Sequence, residues 1–347
     1  MSAMRAFGTT GLTMPPVVFG TSCLGNLYEA RSEETKLEIL GEILRWAPSP
    51  AVLDSAGKYG AGLALEVIGR GLRSLGVDPE QVLISNKLGW LRVPLTGREP
   101  TFEPGAWVGL EHEAAQEISY PGILRCWQQG LELLGAPYRP AFVSVHDPDE
   151  YLARARTEQA RERAKADILE AYRALHELKR RGEVRYVGIG AKDWRTIREL
   201  SAVVELDWVM LACSLTLYTH PPEVVEFVES LARGGVGIIN SAVYNSGFLI
   251  GGEYFDYRRL NPDEPGDRPL YAWRERFHGL CQRHGVLPSA ACVRFGISPP
   301  GVASIAVNPS EPAHVRRSVE LASAEIPTAF WSAMKAAGLM RPDYPYL

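Results

Sequence analysis

The sequence predicts an α/β protein of the (β/α)8 barrel class. Three observations carry that prediction. Short apolar runs recur eight times, stripes at helical spacing separate them, and no composition break divides the 347 residues into two folding units. The whole chain, 1–347, therefore reads as one domain. The competing architecture, a doubly wound nucleotide-binding sheet, needs G-x-G-x-x-G after its first strand. Neither that pattern nor the phosphate loop G-x-x-x-x-G-K-[ST] occurs.

In chain order, Arg5-Ala6-Phe7 and Leu12-Thr13-Met14 flank a Gly-Thr-Thr-Gly turn, predicting an N-terminal β-hairpin able to plug one barrel end. Val17 to Gly20 is the first barrel strand. Ser32, followed by Glu33 and Glu34, caps a helix whose inner face carries Leu37, Leu40 and Leu44. Ala51 to Asp54 is the second strand, with Leu65, Ile68, Leu72 and Leu75 as the stripe of its helix. Val82 to Ser85 is the third, ending in Asn86-Lys87. A long loop insertion follows, Trp90 to about Tyr120, rich in proline and without period; loops of that length in compact domains are usually functional or disordered.

Leu124, Trp127, Leu131 and Leu134 mark the next helix, and Ala141 to Val145 the fourth strand, ending in His146-Asp147. An Arg- and Ala-rich run from Tyr151 to Lys165 reads as a solvated helical approach to the amphipathic segment at Ile168, Tyr172 and Leu175. Tyr186 to Gly190 is strand five, with Asp193 capping the helix after it. Trp208 to Leu211, Val236 to Ile239 and Val302 to Val307 complete the eight.

The net charge of −4 and pI near 6.0 give no reason to expect nucleic acid or an anionic membrane as partner, which leaves small-molecule ligands. Five cysteines without C-x-x-C spacing indicate neither a disulfide framework nor a zinc site, and no metal is expected. With no membrane-length apolar run and no leader-like N-terminus, the expected location is the cytoplasm. Nothing in the sequence fixes the oligomeric state.

In a barrel all strand C-termini open on one mouth. Strand two delivers Asp54 and, after a Ser-Ala-Gly-Lys turn, Tyr59; strand three delivers Lys87 and strand four His146. Taken singly, each has an ordinary reading: a turn cap, a packing residue, a solvated strand end, a satisfied histidine. Together they suit proton transfer at an alcohol or carbonyl oxygen. Tyr59 is the general acid/base, Lys87 its electrostatic tuner, Asp54 the anchor of Lys87, and His146 the hydrogen-bonding partner of the substrate oxygen. A neighbouring ammonium favours the phenolate, so Lys87 is expected to move Tyr59 toward neutral pH. Lys58 has no role in this reading and is expected in solvent. Tyr28 and Trp90 are expected to face the substrate, with Trp107 either lining the mouth or holding the insertion together.

Asp54-Ser55-Ala56-x-x-Tyr59-Gly60, Ser85-Asn86-Lys87-Leu88-Gly89 and Val145-His146-Asp147 resemble the tetrad motifs of the aldo-keto reductase family. The resemblance runs from Phe7-Gly8-Thr9-Thr10-Gly11-Leu12 to Ile326-Pro327-Thr328-Ala329-Phe330-Trp331. It is closest to the group containing L-fucose (D-threo-aldose), L-galactose and pyridoxal 4-dehydrogenases, through His146 to Asp149, Gly188 to Trp194 and Asn240 to Leu249.

The resemblance implies an NAD(P)-dependent oxidoreductase with its cofactor extended across the mouth. Thr21 and Asp54 would lie near the nicotinamide ribose, Ser241, Val243, Ser246 and Gly247 near the pyrophosphate, and Asn308, Ser310 and His314 near the adenosine. This chain departs from the family at Gly190-Ala191, where many members carry carboxamide-binding Ser-Asn, which leaves Lys192 as the available donor. It departs again at Asn240, where many place a tyrosine under the nicotinamide. Fixed cations are missing at Asn308 and His314, and a charge-assisted phosphate contact outweighs a neutral one, so NAD is expected over NADP. The implied reaction is hydride transfer between a nicotinamide and an aldose hemiacetal at C1 (L-fucose-, L-galactose- or D-arabinose-like) or a related alcohol or aldehyde, pyridoxal included. A Schiff-base aldolase using Lys87 or Lys192, or a nicotinamide-binding subunit without turnover, are the remaining readings.

Overall fold

The computed structural model describes residues 4–347. Eight parallel strands close into a barrel: β1 (Val17–Gly20), β2 (Ala51–Ala56), β3 (Val82–Leu88), β4 (Phe142–His146), β5 (Tyr186–Ala191), β6 (Trp208–Ala212), β7 (Gly237–Ser241) and β8 (Val302–Val307). Spatial order follows sequence order, with β8 returning to β1. The predicted alternation of strand and helix is thus the observed one.

Because successive strand residues face opposite sides, each strand serves two cores. Val52, Leu83, Phe142, Trp208, Met210 and Ile239 fill the barrel interior, while the intervening residues meet the surrounding helices. The inward series continues upward into polar residues, 52-54-56 on β2, 83-85-87 on β3 and 142-144-146 on β4. This parity aims Asp54, Lys87 and His146 at one mouth. Lys87 lies inside β3, since the strand runs to Leu88 rather than stopping at Ser85. Glycines on β5 make room for neighbouring side chains: a Cβ on Gly188 would lie 2.3 Å from the Trp208 indole, and one on Gly190 would stand 3.9 Å from the Lys87 side chain.

The N-terminal hairpin, Arg5–Ala6 with Thr13–Met14, seals the opposite end. Fully buried Phe7 meets Phe142 edge-on at 6.1 Å. Ser32 and Asp193 cap their helices as expected, accepting from the amides of Thr35 and Arg195.

One segment differs from expectation and one that the sequence left open is resolved. The run after His146 is not one continuous helix: Pro148–Ala153 ends, and Glu158–Arg180 restarts on Thr157, whose hydroxyl accepts from Ala160 N. The 90–120 insertion is ordered. Trp90–Pro94 and His112–Gln116 pair as an antiparallel hairpin, and the tip between them folds back over the barrel mouth. There Trp90, Phe102, Trp107, Leu110 and Ala61 form a small separate core. Its apolar residues are spaced by a loop path, so no period could mark them. Among the described residues no helix is long and apolar enough to cross a membrane.

Candidate active site

The turn after β2 is built on a close backbone approach. A Cβ on Gly25 would sit 2.7 Å from the carbonyl carbon of Tyr59, and Gly60, at φ +63°, turns the chain immediately afterwards. Glycine at both positions lets the β1 loop press on the tyrosine turn and fix its direction. Tyr59 then points into a cavity of about 430 Å3 lined by Tyr28, Lys58, Lys87, Glu103, Trp107, His146, Asp147, Gly190 to Lys192, Ser241, Tyr254 and Tyr257, among others.

The four residues assembled from sequence meet here. Lys87 Nζ donates to the Tyr59 hydroxyl at 3.1 Å and forms a short buried ion pair with Asp54 Oδ2. The His146 ring lies edge-on to Tyr59 at 5.7 Å.

Electrostatics refine the roles. Burial first, then the charges of Asp54 and Asp147, hold the Tyr59 phenol well above its ordinary range, against an opposing pull from Lys58. The expectation that an ammonium would bring Tyr59 toward neutral pH considered one neighbour alone. In the folded protein desolvation and three carboxylates, Asp54, Asp147 and Glu103, prevail, so the resting phenol keeps its proton. Burial also pulls His146 down to about 3, outweighing the opposite effect of Asp147, and Lys58, Lys87 and Lys192 push the same way as burial. The imidazole is therefore neutral at physiological pH.

Lys58 is not in solvent, contrary to expectation. Its side chain is 3% exposed, with Nζ 2.6 Å from Glu103, 3.1 Å from Asp147 and 3.5 Å from Glu150. Burial opposes its charge, and the three carboxylates more than offset that, raising its pKa. Glu103 also accepts from Trp107 Nε1 at 2.8 Å. Lys58, Glu103, Asp147, Tyr254 and Tyr257 are the cavity residues that the sequence reading missed. The acidic His146-Asp147-x-Asp149-Glu150 run beside a turn lysine was the available signal.

The predicted substrate-facing aromatics separate. Tyr28 lines the cavity and stacks on Tyr254 at 4.7 Å. Trp90 lies outside the lining: it is buried under the insertion against Phe102, with Lys58 Nζ 5.2 Å from its ring. Trp107 takes the wall position instead, 6.0 Å from Tyr59, and also holds the insertion through Glu103.

The predicted cofactor residues also divide. Asp54 Oδ1 is buried without a protein partner, an acceptor suited to a ribose hydroxyl. Gly190, Ala191, Ala212 and Ser241 line the same cavity as Tyr59 with small side chains. Gly247, at φ +94°, has no heavy atom near the place a Cβ would take, its amide donates to the Tyr244 carbonyl, and Ser246 Oγ accepts from Tyr257 N. Val243 is buried beside Gly296. Thr21 is committed to the scaffold, donating to the Asp54 carbonyl at 2.9 Å. Asn240 points outward, with its amide tied to the Leu215 and Gly296 carbonyls, so it cannot lie under a nicotinamide; Ser241 is the residue that faces the mouth. Lys192 lies on the cavity wall, ion-paired with Glu150 and 4.5 Å over the Tyr257 ring. Burial opposes its charge, but Asp147 and Glu150 raise its pKa and keep it protonated, the wrong state for a Schiff-base nucleophile.

Of the residues expected near an adenosine, Asn308 turns inward, donating to Ser22 Oγ at 2.8 Å and accepting from Cys23 N. Ser310 and His314 contact each other at 3.3 Å. Two of the nearby guanidinium groups are engaged: Arg31 pairs with Glu29, and Arg316 pairs with Glu320 and stacks over Trp46.

Comparison with known proteins agrees with this arrangement. Residues 16–338 match the Aldo/keto reductase family. Pyridoxal 4-dehydrogenase of Microbacterium luteolum is 30% identical and D-threo-aldose 1-dehydrogenase of Pseudomonas sp is 27% identical, each alignment covering 98% of both chains. An aldo-keto reductase from Bacillus halodurans in its holo form superposes with a TM-score of 0.70 at 19% identity, covering 97% of this chain and 96% of that one; at that identity it bears on the fold alone. With most of its length matching the family and a relative this similar over its whole length, the chain is a nicotinamide-dependent oxidoreductase that belongs to the aldo/keto reductase family.

Proposed function

We propose that this enzyme oxidises an uncharged hydroxyaldehyde in its cyclic hemiacetal form, an aldose at C1 foremost, with Tyr59 as proton carrier and NAD as the preferred cofactor. The bound nicotinamide supplies hydride acceptance in one direction and donation in the other. Tyr59 exchanges the hydroxyl proton. Lys87 stabilises the phenolate that forms, and Asp54 holds Lys87 in place. Neutral His146 orients the substrate oxygen through a hydrogen bond.

One observation carries the substrate class. Every ammonium on the cavity wall is already matched to carboxylate: Lys87 to Asp54, Lys192 to Glu150, and Lys58 to Glu103, Asp147 and Glu150. A phosphorylated or carboxylated substrate would find no unmatched cation, whereas a polyol can stack its apolar face on Trp107 and Tyr28 and donate to Glu103 or Asp147. The pyridoxal-oxidising relative supports a second reading within the same chemistry, since pyridoxal is also a hydroxyaldehyde able to close to a hemiacetal. For the cofactor, the engaged Arg31 and Arg316 and the inward-turned Asn308 support NAD over NADP.

Initial rates with aldoses, their 6-phosphates, pyridoxal and simple aldehydes, each with both cofactors, test the proposal. It predicts turnover of unphosphorylated hemiacetals with NAD. Preference for a phosphorylated sugar would overturn it.

A further inference from the structure

Glu103, Lys58, Asp147 and His146 form a continuous chain of contacts from the insertion to the reacting groups. Glu103 lies on the insertion tip, and its Oε1 is 2.6 Å from Lys58 Nζ. Lys58 Nζ reaches Asp147 Oδ2 at 3.1 Å. That same oxygen lies 3.4 Å from His146 Nε2. Lys58 and His146 therefore share one carboxylate oxygen. Asp147 presents it from a left-handed backbone, φ +48°, which turns the side chain back toward the residue before it.

We propose that Lys58 is a positioning residue for the reaction: by occupying the carboxylate it shares with His146 it fixes the imidazole in its neutral, substrate-facing state, and through Glu103 it makes that state depend on the docked insertion. The proposal concerns the same site as the aldose reading and rests on His146 meeting the substrate oxygen.

The charges around His146 set the direction of the effect. Asp147 faces it from its own turn, Lys58 and the neutral Tyr59 from the turn after β2, Lys87 from β3 and Lys192 from the turn after β5; Asp54, Glu103 and Glu150 stand behind those lysines. Removing Lys58 takes away one cation and leaves the Asp147 carboxylate facing the ring with Lys192 as its remaining near cation. Both changes favour imidazolium. A protonated, carboxylate-bound ring is held away from the substrate oxygen. The Asp54–Lys87–Tyr59 contacts do not involve Lys58, although its loss also removes one charge that eases ionisation of Tyr59, so the His146 titration and not kcat alone carries the test.

The test is a histidine NMR titration of the full-length protein without substrate or cofactor, with the His146 signal assigned by its loss in His146→Gln. Wild-type His146 stays neutral from pH 8 to pH 5 or so. In Lys58→Met its titration midpoint rises by about one to three units, the shift typical of gaining an unopposed carboxylate within 4–6 Å. The acid limb of kcat moves up with it, so that below the new midpoint kcat falls about tenfold per pH unit while at pH 8 it stays near wild type, NAD affinity changes less than about twofold, and Lys58→Arg restores the wild-type profile. An unchanged His146 midpoint in a folded Lys58→Met overturns the proposal. If Lys58→Met does not fold, Asp147→Asn keeps a residue tolerant of positive φ and removes the shared oxygen. With that carboxylate gone the ring has nothing to bind, so Lys58→Met added to Asp147→Asn should leave the His146 midpoint and the acid limb of kcat about where Asp147→Asn alone puts them, and a midpoint that still rises by about one unit or more in the double variant overturns the proposal. Because the titration needs no substrate, it stands or falls separately from the aldose reading.

Discussion

The ammonium of Lys87 donates to the Tyr59 hydroxyl at 3.1 Å while its charge is paired with the buried carboxylate of Asp54. One cation therefore serves two oxygens, a permanent anion and a transient one. Lys87→Met leaves Asp54 a buried charge without its partner and the phenolate without its donor. It should lower kcat about 10²- to 10⁴-fold, the range for loss of assisted proton transfer, and lower stability by about 3 kcal/mol or more, as breaking one side of a buried ion pair does. Rate assays and urea unfolding check both effects.

The raised affinity of Tyr59 for its proton predicts an asymmetry between directions. Carbonyl reduction uses the protonated phenol and should be nearly flat in pH from 6 to 8 or so. Alcohol oxidation needs the phenolate, so its rate should climb with pH through the same interval and beyond. Equal pH dependence in both directions, measured by kcat/KM, would remove Tyr59 from the proton path.

Acid should destabilise the fold through two buried histidines. Burial is the largest cause in both, holding His146 at about 3 and His220 at about 4, against 6.5 for an unperturbed ring. Between those values the unfolded chain binds protons that the folded chain refuses. The stability is fully present above pH 6.5 and is lost as pH falls toward 4, at up to about 1.4 kcal/mol per pH unit for each ring. Chemical denaturation at stepped pH measures the slope, and His220→Phe should reduce it.

Cofactor preference should follow the engaged guanidinium groups. We expect kcat/KM to favour NAD over NADP by about tenfold or more, a charge-assisted phosphate contact being worth 1.4 kcal/mol or more. His314→Arg, which adds a cation beside Ser310, should raise kcat/KM for NADP and leave that for NAD nearly unchanged.

The barrel was legible because period and composition act locally. Val52, Leu83 and Trp208 alternate with residues that meet helices, and that alternation also aimed Asp54, Lys87 and His146 at one mouth. What local pattern could not reveal was which far segment returns. Lys58 looked like a solvated turn residue until the insertion brought Glu103 to it, and Trp90 looked like a mouth aromatic until Trp107 took that wall. Strand parity also turns Asn240 outward and Ser241 inward, which the departure noted at Asn240 did not resolve. The direction of the Tyr59 shift depended on a sum over burial and four charged neighbours, which no motif encodes.

Tyr59→Phe tests the central claim most directly, because it deletes one oxygen from a fully formed cavity. Hydride transfer followed by the near-ultraviolet absorbance of reduced nicotinamide should fall about 10²-fold or more, while NAD binding, followed by quenching of protein fluorescence, stays within about twofold of wild type. Substantial turnover by the phenylalanine variant would contradict the assignment of Tyr59 as the proton carrier.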